Sequence, residues 1–152
     1  MNIQLAESDA QIERVGGVLL QLRPTFSKEQ LIAQIKEQRL SGYRIAYVES
    51  DGEILCVAGF VVGTKLAWGK HIYVDDLVTA ERHRSTGAGA KMIDWLKSYA
   101  REIGCGQLHL DSGVQRFAAH KFYLREGFSI TSHHFSITNV SAKGPRLDSQ
   151  LK

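Results

Sequence analysis

Residues 71–102 read HIYVDDLVTAERHRSTGAGAKMIDWLKSYARE, and their order decides the fold. An extended apolar segment, Ile72 to Val78, runs into a polar turn that carries Arg82 and Arg84. The turn delivers Arg84-Ser85-Thr86-Gly87-Ala88-Gly89-Ala90 onto an amphipathic helix. That helix is predicted from Ala88 to Ile103, with Met92, Trp95, Leu96 and Tyr99 on one side. Strand, glycine turn and helix in this order make an anion site from backbone alone. The first N–H groups of a helix have no internal partner, and the aligned peptide dipoles place about half a positive charge there. Glycine at 87 and 89 removes the Cβ atoms that would keep an anion from those groups, and Arg82, Arg84 and Lys91 add formal charge. A tight strand-to-helix turn with no ligand is the alternative reading of an isolated GxG. A P-loop is excluded, since GxxxxGK[ST] is absent. The GxGxxG fingerprint fails because Gly89 is followed by Ala90, Lys91 and Met92.

Upstream, Ile3 to Leu5 predicts a short strand. Ser8 or Asp9 then caps a helix whose Ile12, Val15, Val18, Leu19 and Leu22 follow a 3.6-residue period until Pro24. Ser27-Lys28-Glu29-Gln30 is a capping-box pattern that opens a second helix ending at Ser41-Gly42. Tyr43 to Glu49 and Ile54 to Val62 predict a hairpin turned at Ser50-Asp51-Gly52-Glu53, with Gly63 to Lys70 as a loop to the next strand. Downstream, Gln107 to Leu110 predicts a short strand, Gln115 to Glu126 a helix, and Phe128 to Thr138 a last long strand. Ser141 to Lys152 is a polar tail containing Gly144-Pro145, expected to be mobile. Residues 1–140 are read as a single domain.

Two motifs in this order resemble a known family. Arg84-x-x-Gly87-x-Gly89 after a strand is similar to the (Q/R)xxGx(G/A) acyl-coenzyme A loop of the GNAT N-acetyltransferases. Ala119-x-x-Phe122-Tyr123-x-x-x-Gly127-Phe128 resembles that family's A-x-x-F-Y-x-x-x-G-F segment, with one helix and one strand between the two. The resemblance covers roughly residues 70–130. It implies an α/β (α+β) fold: a mixed, mostly antiparallel sheet of about six or seven strands, flanked by about four helices, with a splay between the fourth and fifth strands. It further implies that acetyl-coenzyme A lies in that splay as cosubstrate. Arg84, Ser85, Thr86, Gly87, Ala88, Gly89 and Ala90 would hold its pyrophosphate, and Leu77, Val78 and Thr79 would pair with its pantetheine arm. An ordinary core strand is the alternative for residues 77–79. Many relatives carry asparagine seven residues before the tyrosine; here the position is Arg116, which can reach a phosphate or leave the contact unmade.

The same resemblance makes Tyr123 the candidate general acid toward a departing thiolate; packing among Phe117, Phe122 and Phe128 is the alternative. An acceptor amine needs a base, because an alkylamine titrates near ~10.4. Asp75 and Asp76 stand in the middle of an apolar strand, where a buried carboxylate costs several kcal/mol unless paired. Strict alternation places Asp75 on the side of Tyr73 and Leu77 and Asp76 on the other. Asp75 is preferred as base or amine-binding group, with Asp76 second; a strand bulge or an ion pair with Arg82 or Lys70 is the alternative. Asp111 and His120 are further candidates for the acceptor side, and carboxylates there favour a cationic acceptor.

The chain has 152 residues, 43% of them hydrophobic, enough for one substantial core. Net charge is +3, and the basic residues are spread along the chain, so nothing indicates nucleic acid. Cys56 and Cys105 read as buried reduced thiols, and no CxxC or HExxH supports a metal site. The N-terminal residues show no signal-peptide pattern and no apolar run of membrane-spanning length, so a cytoplasmic protein without membrane contact is expected. The leading reading is transfer of acetyl from acetyl-coenzyme A to a primary amine, small molecule or protein, by direct attack in a ternary complex. Its alternative is a non-catalytic acyl-coenzyme A-binding sensor or interaction module. A homodimer is compatible with the resemblance, though no seam in the sequence marks it.

Overall fold

The computed structural model describes residues 1–141. Five strands form one sheet in chain order: β1 (Asn2–Leu5), β2 (Tyr43–Ser50), β3 (Glu53–Lys65), β4 (Gly69–Thr79) and β5 (Gln107–Leu110). The first four are antiparallel neighbours, and β5 joins β4 in parallel. Helices α1 (Asp9–Leu22) and α2 (Lys28–Leu40) lie between β1 and β2, α3 (Ala88–Glu102) between β4 and β5, and α4 (Phe117–Arg125) after β5.

Both early helices begin as their sequences dictate. The Ser8 and Ser27 hydroxyls accept from the Gln11 and Gln30 backbone N–H groups, and each glutamine side chain returns the bond to its cap. Their apolar faces cover one side of the sheet, where Ile12, Val15, Leu19, Leu31 and Ile35 meet Tyr43, Ile45, Tyr47 and Val57. The opposite side is covered by α3. Met92, Ile93 and Leu96 are fully buried against Ala58, Phe60, Ile72 and Val74. The central strands are therefore apolar on both faces, as a two-sided core requires.

Three expectations need correction. The sheet has five strands instead of six or seven. Residues 128–141 contain no strand, and Ile130, Phe135, Ile137 and Val140 are exposed. The alternation of that segment is real, but a strand exists only with a hydrogen-bonded neighbour, and it forms no ladder with β5. Second, Gly63 to Lys70 is mostly ladder: β3 runs on to Lys65 and β4 resumes at Gly69, paired to each other. Third, α4 starts two residues later than predicted, at Phe117, and Phe117 is exposed instead of joining the aromatic cluster. Of the polar tail, all but Ser141 lies outside the described residues.

The register between β3 and β4 carries the feature that matters most for the site. Phe60 pairs with Val74 and Gly59 with Asp76, so Asp75 is an extra residue on β4 with no partner across the ladder. Gly59 also makes room for Tyr43: a Cβ there would lie 1.7 Å from the Tyr43 hydroxyl oxygen and 2.4 Å from Cζ. Replacing Gly59 by alanine must therefore expel a buried tyrosine ring. We expect Gly59→Ala to cost at least about 3 kcal/mol in urea denaturation, the upper part of the usual overpacking range; a loss below about 0.5 kcal/mol would show that the Tyr43 ring moves aside freely.

Candidate active site

The bulge undoes the strict alternation expected for the two carboxylates. Past it, Leu77 lies opposite Ala58 and packs with Val74 on the α3 side, while Asp76 turns toward α1 and α2. Asp75 and Asp76 thus influence the same group of residues around Tyr43 and Arg23. Their surroundings differ. Asp76 is committed: the Tyr43 hydroxyl donates to Oδ2 at 2.7 Å, and Arg23 donates to Oδ1 from Nε at 3.0 Å and lies 2.9 Å away through Nη2. Neither Arg82 nor Lys70 supplies the ion pair. Arg82 lies 3.4 Å from Glu53, and Lys70 donates to the Ile103 carbonyl. Asp75 has no side-chain partner among the described residues. It keeps solvent contact, yet neighbouring protein strips part of its hydration. That desolvation, followed by the charge of Asp76, raises its carboxyl above the usual carboxylate range, with Arg23 opposing.

Beside Asp75 the sheet opens. β5 pairs with His71 to Val74 and ends at Leu110, opposite Val74. Residues 75–79 of β4 therefore have β3 on one side and no strand on the other. Leu77, Val78 and Thr79 lie on this open edge, half-buried, with their outward backbone groups unclaimed by a ladder.

The edge leads into the N-terminus of α3. After a short 3-10 turn (Glu81–His83), Ser85 and Gly87 take left-handed conformations, at φ 64° and 85°. Gly87 is the N-cap, and no side chain caps the helix. The leading N–H groups of Ala88, Gly89 and Ala90 thus lack an intrahelical acceptor, the condition that favours an anion. The two glycines serve different ends. Gly87 supplies the positive φ, with open space around it, whereas a Cβ on Gly89 would come within 3.3 Å of the Phe122 ring and 3.5 Å of Thr79 Oγ1. Arg84 is exposed and has no ion pair among the described residues, while Arg82 and His83 turn to Glu53. Thr86 donates its hydroxyl to the His83 carbonyl at 2.7 Å.

Gly89 is also where the two sequence motifs meet, since Phe122 belongs to α4. Its neighbour Tyr123 is half-buried between the rings of Phe122 and Phe128, with centroids 5.4 and 5.7 Å away. Burial raises the Tyr123 hydroxyl above its ordinary value; Arg116 opposes this and the Cys56 thiol adds to it. Cys56 lies opposite Thr79 in the β3–β4 register, and Phe122 and Phe128, which flank Tyr123, pack with it in the core under α3, so Tyr123 stands near the open edge on that side of the sheet. Both thiols are buried and unpaired, and desolvation pushes Cys56 up to about 11.

The remaining candidates separate. Asp111, just past β5, stands beside Tyr73 and 2.9 Å from the His134 ring. His120 donates from Nε2 to the Gly113 carbonyl at 2.7 Å and so braces the loop before α4. Arg116 is the N-cap of α4 and is exposed. Sequence reasoning missed Arg23 and Tyr43, which meet Asp76 from 53 and 33 residues away, and no local pattern announces either. No cluster of three or more His, Cys, Asp or Glu among the described residues could hold a metal ion, and no helix there is long and apolar enough to cross a membrane.

Comparison with known proteins gives this arrangement its context. Residues 17–128 match the acetyltransferase (GNAT) family. An uncharacterised N-acetyltransferase of Bacillus subtilis (strain 168), YhdJ, is 29% identical over 120 residues, covering 78% of this chain and 84% of the relative. The streptothricin acetyltransferase of Streptomyces lavendulae is 34% identical over 83 residues, 54% of this chain and 42% of that protein. Among solved structures, the aminoglycoside N-acetyltransferase AAC(6')-Iy in complex with CoA superposes with a TM-score of 0.77 at 14% identity, covering 91% of this chain and 95% of the other. An open β4 edge, an uncapped glycine-led helix and a tyrosine beside their junction thus occur on a chain that matches the family over most of its length: the protein belongs to the GNAT acetyltransferase family.

Proposed function

We propose that this protein moves an acetyl group from acetyl-coenzyme A to a primary amine of a small molecule, by direct attack within a ternary complex. The observation that carries the reading is the continuity of the open edge of β4 at residues 75–79 with the uncapped N-terminus of α3. Bound there, acetyl-coenzyme A supplies an activated acetyl thioester. The N–H groups of Ala88, Gly89 and Ala90, with Arg84, Ser85, Thr86 and Gly87 around them, take its pyrophosphate. The backbone of Leu77, Val78 and Thr79 pairs with its pantetheine amides, which must recover the hydrogen bonds they lose to water. Arg116, exposed at the start of α4, takes a phosphate of the cofactor in place of the asparagine contact.

Two side chains divide the proton work. Asp75 takes a proton from the incoming ammonium so that the nitrogen lone pair is free to attack. A carboxylate raised above its usual range is better matched to that task. Tyr123, held protonated by burial, gives a proton to the departing sulfur. Asp111 adds negative charge on the acceptor side and supports a cationic acceptor. The small-molecule class is supported by relatives whose names specify streptothricin and aminoglycosides.

Three outcomes check this reading. Saturating acetyl-coenzyme A should raise the melting temperature by on the order of 5–10 °C, and free coenzyme A should act similarly, whereas ATP should not; no shift with either coenzyme A form would end the proposal, and binding without thiol release across an amine panel would point to a sensor. Tyr123→Phe should lower kcat by about 10²-fold with little change in cofactor affinity, and unchanged kcat would remove its role. For Asp75 the base form is active, so its raised carboxyl sets the acid limb of the kcat–pH profile above the ordinary carboxylate range. Asp75→Asn should lower kcat by roughly 10²-fold and abolish that limb; a profile of unaltered shape would assign Asp75 to structure.

A further inference from the structure

The bulge at Asp75 leaves a mechanical problem. Asp75 has no ladder partner on β3, because Val74 and Asp76 take Phe60 and Gly59. It has none on β5 either, because that strand ends opposite Val74. An exposed residue unpaired on both edges would sample many conformations, and a base must be held close to one. One side chain addresses this directly. Arg23 Nη2 donates to the Asp75 main-chain carbonyl at 3.2 Å while the same guanidinium holds Asp76. Arg23 is itself fixed as the C-cap of α1, its backbone N–H bonded to the Leu19 carbonyl at 2.9 Å. On the other flank Tyr43, only 5% exposed, donates to the second Asp76 oxygen, and it reaches that oxygen by lying over Gly59.

We propose that Arg23 and Tyr43, acting through Asp76, are positioning residues that clamp the β4 bulge and hold Asp75 in place beside the open strand edge. The inference rests on the role given to Asp75 above. It reassigns Asp76 from a second candidate base to the clamp's central anion. A planar guanidinium suits the task because it bonds a carboxylate and a carbonyl in fixed relative geometry, which an ammonium does not. The clamp joins the end of α1, on the acceptor side, to the strand that carries the base.

The clamp also sets the charge around Asp75, and this gives a test independent of turnover. The groups that face Asp75 are Arg23 from α1, Tyr43 from β2, and Tyr73 and Asp76 from β4. Asp111 stands beyond Tyr73 at the end of β5 with His134 next to it. Removing the Arg23 cation deprives the ionised Asp75 of a favourable neighbour and must move its titration to higher pH. Removing the Asp76 anion takes away a repulsive neighbour and must move it to lower pH. Charges that lay away from Asp75 would not shift its midpoint in opposite directions.

The experiment is a carbon-13 carboxyl NMR titration of Asp75 in the free protein, for wild type, Arg23→Gln, Arg23→Lys and Asp76→Asn, with melting temperatures as the folding control. The expected result is a midpoint raised by Arg23→Gln, lowered by Asp76→Asn and restored toward wild type by Arg23→Lys. In turnover with the best amine of the panel, Arg23→Gln should lower kcat by about ten- to a hundredfold, and Arg23→Lys, lacking the fork, should recover only part. An unmoved Asp75 midpoint in both Arg23→Gln and Asp76→Asn would overturn the clamp. If Arg23→Gln does not fold, Arg23→Lys and Asp76→Asn carry the test, and an unchanged midpoint with unchanged kcat in those two would overturn it equally. Midpoints that move as expected while Asp75→Asn turns over normally would instead refute the base role, and with it the clamp's part in the reaction.

Discussion

The structure depends on where β5 leaves β4. Four aligned pairs hold the two strands together from His71 to Val74, and then the ladder stops. Every second residue of β4 past that point turns its backbone N–H and C=O away from β3 and owes those hydrogen bonds to something other than the sheet. An exposed strand edge inside a folded domain is a liability unless something covers it. Here the edge is short, leads straight to the start of α3 and is flanked by half-buried side chains on both faces. Those are the conditions under which a long, partly peptide-like ligand with an anionic end replaces the missing strand.

The bulge follows from the same departure. A regular β4 would have sent Asp75 and Asp76 to opposite faces, one of them into the apolar layer under α3. Inserting one unpaired residue turns Asp76 toward α1, where Tyr43 and Arg23 satisfy it, and leaves Asp75 as the uncommitted carboxylate. Burying a carboxylate among Phe60, Val74 and Met92 without partners would cost several kcal/mol, so the bulge is the cheaper arrangement. The apolar lock of Gly89 against Phe122 acts similarly for the other half of the site. It seats Phe122 of α4 on the first turn of α3 and so brings the adjacent Tyr123 near Cys56.

Much of this could be read in the chain. The capping boxes at Ser8 and Ser27, the hairpin at Asp51-Gly52 and the glycine-led start of α3 are local, and each formed as its residues require. The pairing of the glycine loop with the Phe122-Tyr123 segment was legible because both are short motifs at a fixed spacing. The strand at Phe128 to Thr138 was misread for a physical reason. Alternation reports a side-chain pattern, whereas a strand is defined by a neighbour, and no neighbour lies within that window of sequence.

What the sequence alone determined is therefore the elements, their order and the backbone chemistry at the start of α3, all of which depend on residues a few positions apart. Only the tertiary structure decided which carboxylate is free and which is held, because that turns on a one-residue shift between β3 and β4 and on Arg23 and Tyr43 arriving from distant elements. Local interactions are encoded by adjacency and can be read along the chain. A register shift and a long-range ion pair are fixed by the packing of whole elements, and they exist only once the chain has folded.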